Sequence, residues 1–396
     1  MNIAKTLILL TFFLSQSAFA DTHEAKLKEL ESKIQILTNE VQGMRSGSRG
    51  FDSKLSIGGY GEIVYKNIRS EDESNTKTAT GTNPQVDTLR NVIYLGYKFS
   101  EKWVFTTEIE IEHADEIFAE VATIDYRAND LFNWRSGLML IPVGLVNEYH
   151  EPTTFYAVNR SEVESKIIPT TWRANGTGFY GKNDWFAYKF LLVNGLGVGS
   201  SGSTIDGSSL RKGRKKGSQA EARDLAWVGR FDFSPLSNLT LGTSLYIGKV
   251  GGIIADVDLR MYDFHLDTRY KGLHFRALYV YTEVDNVTNL SNELGLASGN
   301  HVGKVLQGHY FELGYNVLRN FSNAQLIPHI RFEQYNTQEK IAAGQSADPE
   351  NDVTNITYGL NYKPLSQIVF KADYMKKSNA AKTGVDQWNL GMGWNF

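Results

Sequence analysis

The stretch QWNLGMGWNF, residues 387–396, decides the fold. Large apolar side chains alternate there with polar residues or glycine, so one face of a strand is apolar from end to end. The apolar positions are Trp388, Leu390, Met392, Trp394 and Phe396. Polar residues usually end a strand that packs on a soluble core, whereas this face keeps aromatic rings to its last position. We interpret it as a strand whose outer face contacts lipid, with its rings at the membrane–water interface.

The same two-residue alternation recurs along the chain from residue 54 onward. It predicts sixteen strands, at 54–67, 88–99, 102–113, 117–127, 133–143, 175–182, 185–194, 221–233, 238–249, 256–270, 272–284, 305–319, 325–336, 352–364, 367–377 and 386–396. Short and long connections alternate between them, which is typical of an outer-membrane barrel with an even strand count. The fold class is therefore all-β: a transmembrane antiparallel β-barrel of about 16 strands. A soluble sandwich is the alternative, but strands in lipid must close because an open edge would leave backbone groups without partners.

Composition agrees with an exported β protein. Aromatic residues are abundant, with 20 Tyr, 21 Phe and 7 Trp, while proline is scarce at 8, and both features favour strands. The chain has no cysteine, so no disulfide framework holds it together. Its formal net charge of −3 does not suggest a nucleic-acid partner, which would leave a basic footprint.

The N-terminal region divides into three parts. Residues 1–20 have the basic, apolar and small-residue regions of a signal peptide, with a short membrane anchor or a buried helix as alternatives. Residues 21–45 predict a short coiled-coil helix in the periplasm that associates as a trimer, and residues 46–53 a flexible linker. The heptad seam is formed by Leu27, Leu30, Ile34, Leu37, Val41 and Met44. An amphipathic helix lying on the barrel (54–396) is the alternative.

The third long connection, residues 144–174, is the candidate constriction. It is too apolar to be disordered, and inside a wide barrel it can pack only on the lumen wall, where it would narrow the pore. Its charged or titratable residues are His150, Glu151, Arg160, Glu162, Glu164, Lys166 and Arg173. Strand parity places further charges on the lumen wall at Arg90, Glu108, Glu110, Glu112, Arg127, Arg135, Arg230 and Arg331. Opposite charges across a narrow pore create a transverse field, although many of these groups could instead pair and brace the loop.

Three further features carry local predictions. In the tenth segment the apolar phase slips after Met261, which predicts a β-bulge or a misplaced boundary. The basic run RKGRKKG, residues 211–217, predicts a mobile, solvated loop tip, with attraction of anionic solutes or binding of lipopolysaccharide phosphates as alternatives. The ladder of glutamates at 108, 110 and 112 is weak evidence for a divalent cation, and we predict no metal and no cofactor.

The centre of the chain resembles a known family. GLMLIPVGLVNEYHEPTTFYAVNRSEVESKIIPTTWRANGTGFYG, residues 137–181, together with LSIGGYGEIVY and EIEIEHA, is similar to the phosphate-selective porin O and P family. This resemblance implies sixteen-stranded trimeric pores whose third loop folds inward. Glutamates interleave with Arg160, Lys166 and Arg173, which departs from an all-basic constriction. The aromatic C-terminal residue also resembles the signature read by the barrel-assembly machinery.

These patterns predict a passive outer-membrane diffusion channel for small hydrophilic solutes, not an enzyme. The expected partners are two further copies in a homotrimer, outer-membrane lipid and lipopolysaccharide, and the barrel-assembly machinery. The channel is either general or weakly anion-preferring, for phosphate or organic anions. The alternatives are an outer-membrane hydrolase and an envelope tether anchored by the barrel.

Overall fold

The computed structural model describes residues 54–78, 83–200, 203–250 and 257–396. The predicted signal peptide (1–20), coiled coil (21–45) and linker (46–53) lie outside these residues and stay predictions. No helix among the described residues has the length and apolar character needed to cross a membrane.

Sixteen antiparallel strands close into one barrel, and β8 and β9 form a separate two-stranded sheet. In chain order the strands are β1 (Leu55–Ile68), β2 (Gln85–Lys98), β3 (Trp103–Glu112), β4 (Glu116–Arg127), β5 (Asn133–Leu140), β6 (Arg173–Lys182), β7 (Phe186–Asn194), β8 (Gly199–Ser200), β9 (Ser203–Thr204), β10 (Leu225–Leu236), β11 (Leu239–Lys249), β12 (Asp258–Tyr270), β13 (Leu273–Val284), β14 (Val305–Tyr315), β15 (Gln325–Lys340), β16 (Asp352–Leu365), β17 (Ile368–Asn379) and β18 (Gln387–Asn395). The fold class predicted from the sequence is confirmed, and every predicted barrel strand ends within four residues of its observed bounds.

Helical structure is confined to the connections. A π-helical turn spans Val163–Ile167, and 3₁₀ turns span Arg211–Gly213 and Pro349–Asn351. A short α-helix, Val287–Glu293, lies between β13 and β14.

The barrel closes between its first and last strands. Gly59 and Phe396 exchange two backbone hydrogen bonds, of 3.0 and 2.9 Å, and the pairing continues through Ile63 opposite Met392. The outer face of β18 is open to the surroundings, with Phe396 69 % exposed. A methyl group on Gly61 would lie 2.5 Å from the indole ring of Trp394, so glycine leaves the space that this ring occupies.

The outer surface of the barrel is apolar and aromatic around the strands. Large exposed side chains include Ile93, Trp103, Ile109, Phe190, Trp227, Phe231, Leu241, Phe264, Phe311, Ile330, Leu360 and Leu390. In water such a continuous surface would be a severe aggregation hazard, whereas in a bilayer it is the surface that contacts lipid.

The predicted bulge near Met261 is wrong, and so is a misplaced boundary. The register of β12 is unbroken against both β11 and β13. Val257, Leu259 and Met261 point inward and are fully buried, while Phe264 on the outer face is exposed. The apolar phase changes because the inner face is apolar in the first half of the strand, opposite the outward Asp258 and Arg260, whereas the outer face becomes apolar only from Tyr262 onward.

That inner apolar face belongs to a hydrophobic core inside the barrel. The core unites inward side chains of β5–β7 and β10–β16 with three connections that fold inward. These connections contribute Val163, Ile167, Ile168, Trp172, Leu196, Ile205, Leu210, Val287, Leu290 and Val302. The strand residues of this core lie in the halves next to the long connections, so that end of the lumen is filled with packed apolar side chains, whereas charged residues such as Asp232, His265 and Arg276 face inward in the other halves.

Candidate pore-lining site

Loop 3, residues 141–172, connects β5 to β6 and folds into the barrel. Its two ends are joined by Asn147, which is fully buried. The Asn147 side-chain amide donates to the carbonyls of Ile141 (2.6 Å) and Trp172 (2.9 Å), and its oxygen accepts from the Trp172 amide (2.7 Å). The indole of Trp172 packs on Tyr246 with ring centroids 4.7 Å apart. These contacts fix the base of the loop against the wall.

The central part of loop 3 is held to the wall by two side chains of β17. The Lys371 ammonium donates to the carbonyls of Phe155 (2.9 Å) and Ala157 (3.0 Å) and lies 3.7 Å from the Phe155 ring centroid. The Asp373 carboxylate accepts from the Val158 amide (2.5 Å). Backbone groups that a lumen-crossing loop would leave without partners are in this way satisfied by side chains of the wall.

Glu162 is the strongest single tether of loop 3. Its carboxylate accepts from the Lys377 ammonium (2.8 Å), the Tyr335 hydroxyl (2.6 Å) and the Asn355 amide (3.0 Å). Burial acts to raise the pKa of Glu162, but the Lys377 charge and these hydrogen bonds outweigh it and lower the pKa to about 2. The predicted constriction charge at Glu162 is thus engaged in holding the loop.

Glu164 is fully buried in the loop. It accepts from the Tyr310 hydroxyl (2.6 Å) and from the Val146 amide (2.8 Å). Burial raises the pKa of this carboxyl, and the two hydrogen bonds oppose the rise. Glu164 therefore braces the loop internally, and Lys166 similarly offers its carbonyl to the Leu210 amide (3.2 Å).

The start of loop 3 reaches the opposite wall through His150. The His150 Nδ1–H donates to the Asn147 carbonyl (2.9 Å), and Nε2 lies 2.9 Å from the Tyr60 hydroxyl and 3.2 Å from the Glu120 carboxylate. Sequence reasoning missed Glu120, because a β-bulge on β4 makes Glu120 the extra residue and turns it inward. Loop 3 is thus held at both sides of the lumen.

Most of the wall arginines predicted from parity point inward and are paired. Arg90 lies 2.7 Å from Glu62 and 3.9 Å from Glu110. Arg135 binds Asp125 through two hydrogen bonds of 2.6 and 3.2 Å. These pairs brace the wall, and each charge is largely neutralised by its neighbour.

The remaining predicted wall residues are of two kinds, paired arginines and partly or fully exposed charges. Arg230 pairs with Asp232 at 2.8 Å and donates to the Gly144 carbonyl (2.5 Å). Arg331 lies 3.4 Å from Glu333. Arg127, in contrast, is exposed at the end of β4, and Glu108 and Glu112 keep partial exposure in the lumen.

The three predicted cations of the loop region have little or no carboxylate pairing, and among the described residues no carboxylate lies within salt-bridge distance of the Lys166 ammonium. Arg173 is buried and lies 4.5 Å over the Phe118 ring, with Glu120 3.9 Å away. Among the described residues, Arg160 has no carboxylate within salt-bridge distance, and its buried Nη2 has no hydrogen-bond partner. Burial lowers the pKa of Arg160 to about 10, with the Arg90 charge adding to the effect, so its guanidinium is charged at neutral pH. Glu151, also predicted, is partly exposed.

The basic run at residues 211–217 differs from its prediction as a solvated tip. It begins with a 3₁₀ turn, follows the fully buried Leu210 and contacts loop 3. The signal for this inward fold was the spacing of apolar residues before it, at Leu196, Ile205 and Leu210, within a segment otherwise rich in glycine and serine.

Comparisons with known proteins agree with this architecture. No family model matches the chain. A protein of Aquifex aeolicus (strain VF5), described as uncharacterized, is 35% identical over 360 residues, which cover 86% of this chain and 80% of that protein. The chain belongs to the family of this Aquifex aeolicus protein. Nothing in that description assigns the family an activity.

Solved structures show the fold that this family adopts. OmpF of Salmonella typhi, in complex with daunomycin, gives a TM-score of 0.59 at 12% identity, covering 86% of this chain and 97% of that chain. The outer membrane channel DcaP of Acinetobacter baumannii gives 0.56 at 11% identity, covering 88% and 100%. OmpT, an outer membrane protein of Vibrio cholerae in its trimer form, gives 0.53 at 9% identity, covering 86% and 99%. The barrel therefore has the porin fold.

Proposed function

We propose that this protein is a passive channel for small hydrophilic solutes in the bacterial outer membrane. The observation that carries the proposal is a closed sixteen-stranded barrel, apolar outside and charged inside, with a loop fastened within it. A closed barrel satisfies all backbone hydrogen bonds in lipid. A charged interior needs water, and water in a membrane-spanning lumen is a path for polar solutes.

The position of loop 3 and the apolar core inside the barrel favour a narrow pore. Loop 3 contacts β1 and β4 through His150 and reaches β15–β17 through residues 155–162. The apolar core fills a further part of the cross-section. We therefore expect a small single-channel conductance, with permeation limited to solutes that fit beside the loop.

A weak preference for anions is the finer part of the proposal. Arg160 and Lys166 are the predicted constriction residues whose charges are least compensated, because neither side chain has a carboxylate partner among the described residues. Glu162 and Glu164, in contrast, are engaged in tethers. Arg160 and Lys166 thus outnumber Glu151, the remaining loop carboxylate that has no cation partner and no tether among the described residues, which is consistent with the resemblance to phosphate-selective porins. Phosphate or small organic anions are the solutes to test.

The proposed assembly is a homotrimer in contact with lipopolysaccharide and outer-membrane lipid. The trimeric form of the Vibrio cholerae OmpT structure supports this arrangement by its fold. The predicted coiled coil at residues 21–45 would add a second trimer contact in the periplasm, and insertion would require the barrel-assembly machinery.

Reconstitution in planar bilayers tests the channel. The purified full chain should produce stepwise openings that come in groups of three, and a zero-current potential in a salt gradient should favour chloride or phosphate over potassium. Protein that inserts without conducting would refute the channel. Single openings without grouping would refute only the trimer.

The hydrolase alternative is tested on the same preparation. A hydrolase needs a nucleophile beside a base, and in the described part of the chain no serine hydroxyl donates to a histidine. Release of fatty acid from phospholipid in detergent would nevertheless establish that activity. The tether alternative depends on residues 21–50, and weakened envelope attachment with unchanged conductance after their deletion would support it.

A further inference from the structure

Loop 4, residues 195–200 and 203–224, folds into the barrel as loop 3 does. Leu196, Ile205 and Leu210 are buried in the same apolar core as Ile167 and Trp172 of loop 3. The burial of these three large apolar side chains removes them from water and stabilises this position of the loop. The loop is therefore a packed part of the lumen.

Hydrogen bonds join loop 4 to loop 3. The amide of Leu210 and the hydroxyl of Ser209 donate to the Lys166 carbonyl, at 3.2 and 3.1 Å. The Arg214 guanidinium donates to the carbonyls of Thr170 (3.0 Å) and Thr171 (3.1 Å). The two loops form one continuous inner surface.

The far end of the basic run is fixed to the wall. The side-chain amide of Asn175, on β6, donates to the Gly217 carbonyl (2.9 Å). The Lys216 ammonium lies 5.6 Å from the centroid of the Phe118 ring, on β4. The segment 211–217 therefore spans from loop 3 to the β4–β6 wall, with both ends held.

The cations of this segment are largely unpaired. Arg211 and Arg214 have no carboxylate within salt-bridge distance among the described residues, and the Arg211 side chain makes no hydrogen bond there. Of the surrounding carboxylates, Glu112 and Glu110 on β3 exert the largest electrostatic effects on both. Burial lowers the pKa of both groups, with the Arg214 charge adding to the effect on Arg211 and the Arg173 charge to that on Arg214, yet arginine stays charged at neutral pH.

We propose that loop 4 shares the constriction with loop 3, and that Arg211 and Arg214 form, with Arg160, the cationic side that faces the glutamates of β3. This inference rests on the proposed channel function. It assigns selectivity to a loop that the sequence interpretation placed in solvent. A solute passing between these surfaces would meet a field directed from loop 4 to β3, which selects for compact anions and for dipoles that can orient in that field.

The variant Arg211→Gln tests this assignment against Lys212→Gln. Both remove one positive charge from adjacent residues, but Lys212 is half-exposed and already pairs with Asp206 at 3.1 Å. A unit charge about 6 Å from an ion in water changes its Boltzmann weight about threefold. We expect Arg211→Gln to lower the anion-to-cation permeability ratio at least about threefold, and Lys212→Gln to leave it within experimental error.

The outcomes separate the inference from the proposed function. Wild-type protein that does not conduct overturns both. A conducting channel in which Arg211→Gln leaves the ratio unchanged, or in which both variants shift it equally, overturns the role of loop 4 and leaves the channel standing. Heat-modifiable migration in gels verifies folding of each variant. Should Arg211→Gln not fold, Arg214→Gln carries the test: a lowered ratio is expected, and an unchanged ratio overturns the role of loop 4.

Discussion

Replacing Glu162 with glutamine should loosen loop 3 while nearly preserving the shape of the side chain that tethers it. Glutamine has nearly the same shape and can still accept from Tyr335 and Asn355 through its amide oxygen. It loses the negative charge that faces the Lys377 ammonium at 2.8 Å. The Lys377 side chain is only 25% exposed, so water replaces the lost carboxylate poorly.

The magnitude follows from two lines of reasoning. A hydrogen bond between charged groups contributes about 1.5–3 kcal/mol. The lowered pKa of Glu162, from the usual 4.5 to about 2, corresponds to about 3 kcal/mol for all its partners together. Because two of those partners are kept, we expect glutamine to cost about 1.5–2 kcal/mol, which is about a 10- to 30-fold increase in the open population of the loop.

Hydrogen exchange measures that open population directly. The amides of Ser165 and Lys166 donate to the Glu162 carbonyl, and that of Ile168 donates to Val163, so all three are protected while the loop is docked. Mass spectrometry on the protein in detergent should show their exchange accelerated about 10- to 30-fold in Glu162→Gln. The amide of Ile63, in the closure between β1 and β18, should be unchanged.

A matched control lies in the same loop. Glu148 binds the Lys189 ammonium through hydrogen bonds of 2.5 and 2.6 Å, and this partner lies on β7, whereas Lys377 lies on β17. Glu148→Gln should accelerate exchange near residue 148 but not at residues 165–168. Equal exchange of residues 165–168 in wild type and Glu162→Gln would refute the tether. So would strict additivity of Glu162→Gln and Lys377→Met, since paired residues must couple.

Three further predictions concern the tether, the closure and the core. Because the folded pKa of Glu162 lies below 4.5, its stabilisation is complete above about pH 4.5 and is lost as the pH falls through about 2, so current noise from loop motion should increase over that range. Gly61→Leu should displace the Trp394 ring and lower the temperature of heat-modifiable unfolding, whereas Gly229→Leu, whose Cβ would meet no atom within 4 Å, should leave it unchanged. Leu210→Ala should destabilise the inward loops by about 2–5 kcal/mol, detected as faster proteolysis of loop 4 with an intact barrel.

The barrel could be predicted because its physics is local and repetitive. Every strand repeats an alternation of two residues, and the closure in lipid follows from backbone hydrogen bonding. The inward fold of loop 3 was also a prediction from Phe155, Ile167 and Trp172, since apolar side chains in a long connection need a surface.

The arrangement of charges could not be predicted in the same way. Parity identifies which residues face inward, but not that Glu162 meets Lys377 while Arg160 meets no carboxylate. Those pairings depend on the path of a loop across the lumen, which brings together residues more than two hundred positions apart. The bulge that turns Glu120 inward likewise has no marker in the local sequence.

Loop 4 was misjudged because five cations were given more weight than three spaced apolar residues. Long basic side chains can pack their stems on a surface while the charged ends meet water, so a basic segment need not be free. The apparent phase slip at Met261 arises from the inward fold of these loops, because an inner wall covered by apolar loops is itself apolar.

The apolar core that fills part of the lumen limits how this protein could be adapted as a nanopore. In a barrel whose inner wall is hydrated on every side, shortening an inward loop widens the pore. Here, removal of an inward loop would expose to water the apolar inner face of β10–β14 next to the long connections, and this part of the lumen would dewet or collapse.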